Sequence, residues 1–204
     1  MVSASSEGWI VAVSLAFDPS KSFHFKVICV WRLVDNENDH QDLAFLVPQT
    51  YQIGIYSSET ASWGPSGDPF SASITTDFDN GVFWNVAIHW LCQERSCLYF
   101  DVDKECLRTM CGRPCLRSES MDRFRYFGEC CGRLLLVEVD MLNDSVFHVL
   151  EVERDQYSRG WVTKYCISLD RIGVAFGRSI FSVVGADQED GLALVIWGQQ
   201  GPFL

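Results

Sequence analysis

Apolar residues fall in short runs separated by turn-forming ones, and nowhere do they keep an i, i+3, i+4, i+7 spacing long enough for a sizeable helix. Four runs, at 51–56, 98–102, 146–152 and 192–197, recur about 45 to 50 residues apart. Each follows another apolar run, at 27–31, 82–91, 134–139 and 180–184, and the chain enters its first at 10–17. Between them Asp79-Asn80-Gly81, Gly64-Pro65-Ser66-Gly67 and Asp190-Gly191 supply residues that accept the positive φ of tight turns. The pattern predicts a repeated unit that is a short antiparallel sheet.

One stretch shows that unit most fully. Residues 127–139, with Gly128 near the start, lead through a polar connection into 160–165, which carries Trp161 and ends on Tyr165. This is the layout of one β-propeller blade. The fold predicted is all-β, a kelch-like β-propeller or partial propeller of about four antiparallel blades. Residues 1–204 read as a single domain, because the strand spacing continues across the polar segments 94–96 and 113–122.

The wording of the chain carries a resemblance. Ala16-Phe17-Asp18-Pro19-Ser20-Lys21-Ser22, Phe25-Lys26-Val27-Ile28-Cys29-Val30-Trp31 and Ile55-Tyr56-Ser57-Ser58-Glu59-Thr60-Ala61-Ser62-Trp63 come first. Asp79-Asn80-Gly81-Val82-Phe83-Trp84-Asn85, Ile88-His89-Trp90-Leu91, Leu98-Tyr99-Phe100-Asp101-Val102-Asp103, Arg125-Tyr126-Phe127-Gly128-Glu129 and Glu151-Val152-Glu153-Arg154-Asp155 follow in order. From about Ala16 to about Ile172 the sequence resembles the C-terminal associated domain of plant F-box proteins. The resemblance implies a kelch-like propeller that captures a protein substrate for a cullin-RING ubiquitin ligase, whose Skp adaptor binds a separate helical F-box. Nothing before the strand at 10–17 reads as such helices. The F-box is therefore expected to be absent and Skp adaptor binding is not expected.

Composition and charge narrow the choices. A 48% hydrophobic chain of 204 residues can bury a sizeable core. The net charge of −11, with basic residues scattered, argues against nucleic acid. No apolar run is long enough to span a bilayer and no basic leader precedes 10–17, so no membrane partner is expected and the expected location is cytoplasmic or nuclear. In that reducing setting the nine cysteines remain thiols, and Cys29, Cys92 and Cys166 read as small apolar strand residues.

Zinc is the sharp alternative, from His89, Cys92, Cys97, Cys111, Cys115, Cys130 and Cys131. Only Cys111 and Cys115 form a knuckle of suitable spacing and no matching second knuckle follows, so no metal site and no cofactor are expected, and folding should need neither metal nor disulfide. No nucleophile elbow, phosphate loop or zinc-protease motif is present, and no catalytic residue is assigned. Asp101 and Asp103 read as turn carboxylates, and Glu151, Glu153 and Asp155 as outward positions at a strand end. Trp31, Trp63, Trp90, Trp161 and Trp197 read first as rings wedged between blades, with partner anchoring as the other use. Loops at 36–42 and 118–123 are candidate contact regions, but the substrate-binding residues stay unknown.

The reading is a non-enzymatic protein-recognition module. The alternatives are a truncated, non-functional or structural remnant, and an enzyme on a propeller scaffold. If blades are missing, the terminal sheets should leave Val11, Val13, Leu15, Leu194, Ile196 and Phe203 uncovered in an open, self-associating crescent.

Overall fold

The computed structural model describes residues 8–33, 48–92, 97–110, 124–139, 146–152, 160–168, 180–183 and 196–199. The chain forms two compact units, Met1–Met110 and Cys111–Leu204. In the first unit β1 (Gly8–Ala16), β2 (Lys26–Leu33), β3 (Gln49–Ser57) and β4 (Ser62–Ala72) form an antiparallel sheet in chain order. A second sheet follows from β5 (Asp77–Trp84), β6 (Ala87–Leu91), β7 (Cys97–Asp101) and β8 (Cys106–Met110).

The second unit repeats the arrangement with β9 (Phe124–Cys130), β10 (Arg133–Val139), β11 (Val146–Val152) and β12 (Trp161–Ser168), and pairs β13 (Ile180–Val183) with β14 (Ile196–Gln199). The fold is all-β, with no helix among the described residues. Three up-and-down, four-stranded sheets are consistent with a partial propeller of blades. The recurring runs at 51–56, 98–102 and 146–152 lie on β3, β7 and β11, the third strand of each sheet. The fourth run, at 192–197, reaches the described residues only in Ile196 and Trp197.

Two turns differ from expectation. Residues 82–91 are not one strand: the chain reverses at Asn85 and Val86, with φ of 48° and 64°, and Trp84 pairs with Ala87. Asp79-Asn80-Gly81 instead lies inside β5, in a register shift between Asp77 and Val82, where the Asp77 carboxylate accepts from the Asn80 backbone N–H and side-chain amide. The positive φ went to Asn85 because a two-residue hairpin needs it at both central positions, and Asn tolerates it. Gly64 and Pro65 likewise stay within β4, where Pro65 is tolerated because β4 is an edge strand, while Gly67 does take the expected positive φ, 67°, at the irregularity of β4 against β3. Asp190 and Gly191 lie outside the described residues.

Alternation along the strands builds the core of the first unit. Ala12 and Ala16 of β1, Ile28 and Val30 of β2, and Tyr51, Ile53 and Ile55 of β3 turn one face of the first sheet inward. Phe78, Ile88, Trp90, Phe100 and Val102 of the second sheet and its margins meet them. Trp90 is wholly buried, with the Phe78 ring edge-on to it at 5.4 Å. Gly81 is required there: a Cβ on it would stand 2.5 Å from Ser14 Oγ and 2.6 Å from Trp90 Nε1. Lys26 ties the two sheets at their margin, donating to the Val102 carbonyl at 3.0 Å.

In the second unit β10 is buried from Leu134 to Val139, which explains an apolar run broken only by the buried Glu138. Val137, Val139, Phe147 and Val149 form its described core cluster.

Candidate functional site

The first sheet has a second face, and it is apolar too. The register places Leu15, Val27, Tyr56 and Trp63 in one row across the four strands. Val13, Cys29, Gly54 and Pro65 form the next, and Ile10 pairs with Trp31 in a third. Val13 is 60% exposed, Leu15 56% and Trp63 58%, as side chains facing away from the core should be. Among the described residues of the first unit, every large apolar side chain left exposed belongs to this sheet or its turns. A contiguous apolar surface of this kind marks an interaction site more often than an accident of composition.

Val13 and Leu15 are thus exposed on this face, but Val11 is not on it. Ile10 pairs with Trp31 and Ala12 with Val30, so Val11 is the extra residue of a β-bulge, and it packs against the core. The bulge resets the alternation, which lets Ile10 and Val13 share the open face although they are three apart. Leu194 and Phe203 lie outside the described residues, and only the backbone of Ile196 is described.

A groove of about 580 Å³ runs over this face between the Trp31 and Trp63 indoles, with Gly54, Gly64 and Pro65 in its lining. Gly54 makes the groove possible. A Cβ there would stand 3.0 Å from Trp31 Nε1, so the missing side chain lets that indole lie close over β3. On the other side, the Trp63 ring leans on Tyr56 at 5.4 Å and Tyr56 meets Phe25 at 6.3 Å. Trp31 is 37% exposed, so both indoles keep surface for a partner.

The polar chemistry around the groove is committed to structure. The Gln52 carboxamide nitrogen donates to the carbonyls of Ile53, Ser66 and Gly67 at 3.1, 3.1 and 3.2 Å, filling the irregularity between β3 and β4. Cys29, at the floor, is buried, and burial pushes its thiol above the ordinary range and away from the reactive thiolate. The surface offers shape and aromatic contact, not acid, base or nucleophile.

The tryptophans thus divide. Trp90 and Trp161 are core residues, Trp31 and Trp63 keep exposed surface, and of Trp197 only its strand is described. An isolated glycine inside the apolar run 51–56 was the available signal for close approach on this face.

The other candidates resolve separately. His89 is fully buried against Tyr99 and Trp84. Thr76 donates to Cys92 Sγ at 3.6 Å, and Cys97 donates to the Trp90 carbonyl at 2.9 Å. No group of three or more His, Cys, Asp or Glu suited to a metal occurs among the described residues, and Cys111 and Cys115 lie outside them.

Asp101 is a turn carboxylate, accepting from the Lys104 backbone N–H at 2.9 Å and its ammonium at 2.6 Å. Partial burial raises its pKa, but the Lys104 bonds outweigh that and hold it below the usual carboxylate value. Glu151 is not an outward, solvated residue. It is buried, with Arg133 Nη1 3.2 Å away and Lys164 Nζ 3.9 Å away, because the strands beside β11 bring both cations across to it. The candidate loops 36–42 and 118–123, with Glu153 and Asp155, lie outside the described residues.

Comparison with known proteins follows the same direction. No protein-family model matches the chain, and no solved structure does. An F-box protein of Arabidopsis thaliana is 30% identical over 201 residues, an alignment that covers 88% of this chain and 46% of that protein. The chain thus spans about half the length of the curated relative it matches, and that relative is an F-box protein.

Proposed function

We propose that this chain is the substrate-recognition part of an F-box-type ubiquitin ligase receptor and acts by binding protein rather than by catalysis. The observation that carries the reading is the open face of β1–β4, where Trp31 and Trp63 flank a groove lined by apolar residues and Gln52, with no acid or base among the lining residues. The F-box protein relative supports the ligase context. The partner is a protein segment with large apolar side chains. Basic residues flanking them would suit a chain of net charge −11, through steering more than through contact. The reading assigns the described sheets to substrate, leaves Skp adaptor contact to helices of another kind, and puts the chain in the cytosol or nucleus. Nucleic acid and membrane have no part in it.

The test is affinity capture from plant extract by the full chain and by a Trp31→Ser, Trp63→Ser variant, each with and without the Skp adaptor. A protein held by the native chain in both conditions, released by the double variant and ubiquitinated in a reconstituted ligase, is the expected result. Equal capture by both forms would remove the groove from the proposal, and capture that depends wholly on added adaptor would reverse the division of roles.

A further inference from the structure

Among the described residues the closest thiols are not those of a spaced knuckle but neighbours in the chain. Cys130 ends β9, Arg133 opens β10, and the two pair across a two-residue turn made by Cys131 and Gly132. Both turn residues have positive φ, 50° and 73°, the geometry of a type I′ hairpin. Asn or Gly is the residue that geometry prefers at the first place, and the thiol of Cys131 is a weaker hydrogen-bonding group than the Asn amide. A non-glycine residue held in this region is a reason to look for a use.

The turn aims the Cys131 thiol back toward Cys130, with the sulfurs 3.7 Å apart. The Glu129 carboxylate accepts the Gly132 N–H at 2.6 Å and fixes the turn from the other side. Cys131 is exposed and Cys130 half-buried, so an incoming group can reach both.

Direct joining of the pair is disfavoured, since adjacent Cα atoms are about 3.8 Å apart and disulfides normally span at least about 4.4 Å. Sharing a third atom is not. Two sulfurs bound at about 2.3 Å to one tetrahedral centre stand about 3.8 Å apart, the separation already present. We propose that Cys130 and Cys131 form a bidentate dithiol site for a thiophilic metal ion or trivalent metalloid.

With a monosubstituted arsenic oxide the step balances without any redox change. Two S–H bonds break, two As–S bonds form, and the oxide oxygen leaves as water with both protons. With Zn²⁺ the two thiol protons go to solvent and the remaining positions stay open to water or a second chain.

The full chain is titrated, under a non-thiol reductant, with phenylarsine oxide read by intact mass and with Zn²⁺ read by competition against a chelating dye. The key variant is Cys131→Asn, which makes Asn-Gly, the preferred pair for this turn, and so should melt no lower than the native chain. Native protein is expected to take up one equivalent more than Cys131→Asn, and Cys130→Ser is expected to lose the same equivalent. The difference with arsenical alone identifies a metalloid site, and with Zn²⁺ alone or both probes a metal site; each supports the dithiol. Equal uptake of both probes by native chain and Cys131→Asn, with melting retained, would overturn it.

Discussion

The imidazole of His89 lies nearly flat against the ring of Tyr99, centroids 5.5 Å apart and planes 18° apart, where β6 and β7 place the two residues directly opposite each other. Trp84 closes the other side at 5.4 Å, and the ring is wholly buried. Burial drives its pKa down to about 4, with the backbone at Val82 and Ala87 only partly offsetting the effect. The unfolded chain therefore takes up this proton first as pH falls. Stability should decline between about pH 6.5 and pH 4, by about 3 kcal/mol in all. Urea unfolding at pH 7 and pH 4.5 checks this: His89→Phe should show a smaller acid loss than the native chain, and parallel losses would dismiss the role of His89.

Gly81 should tolerate no side chain. An added methyl meets Ser14 Oγ, Trp90 Nε1 and Ile88 Cγ2 within 3.1 Å, at the contact of β5 with β1 and β6. Gly81→Ala is expected to cost about 2 to 3 kcal/mol by overpacking, measured by chemical denaturation. Gly64→Ala, which meets nothing within 4 Å, is the matched control and should stay within about 0.5 kcal/mol.

The tryptophans should separate stability from binding. Trp90→Ala is expected to cost about 3 to 5 kcal/mol, as loss of a wholly buried ring does. Trp63→Ala, more than half exposed, should cost less than about 1 kcal/mol and yet weaken partner binding at least tenfold. Melting curves and binding isotherms on the two variants would reveal any failure of this split.

Val86 is a stabilising opportunity. A β-branched residue at φ 64° is strained, whereas Asn85 followed by glycine is the preferred pair for this hairpin. Its carbonyl accepts from Val102 N–H at 3.0 Å through the backbone, so the bond survives substitution. Val86→Gly should raise stability by about 1 kcal/mol in thermal melts; an unchanged or lower melting temperature would show that the Val86 side chain contributes more by packing than its backbone loses.

Strand placement was largely written in the sequence. Alternation and β-branched runs have a period that any reader can count, so the third strands β3, β7 and β11 and the all-β class follow from the recurring apolar segments. Part of the candidate chemistry was legible in the same local way, since Asp101 makes the turn bonds its type and position imply, whereas the burial of Glu151 beside Arg133 and Lys164 was not. What the one-dimensional pattern could not carry was the choice between equivalent local signals. Asn80-Gly81 and Asn85 both look like turns, and only the packing of Gly81 under Ser14 and Trp90 sends the first into a strand and leaves the reversal to Asn85 and Val86. The bulge at Val11 is likewise a matter of register, since one extra residue decides which of Ile10, Val11 and Val13 meet the core. Trp31 and Trp90 each sit in an apolar strand, and their neighbours in the chain say nothing about which side another sheet will cover. Burial is set by what packs opposite, so tertiary structure alone made Trp90 core and left Trp31 and Trp63 to the surface.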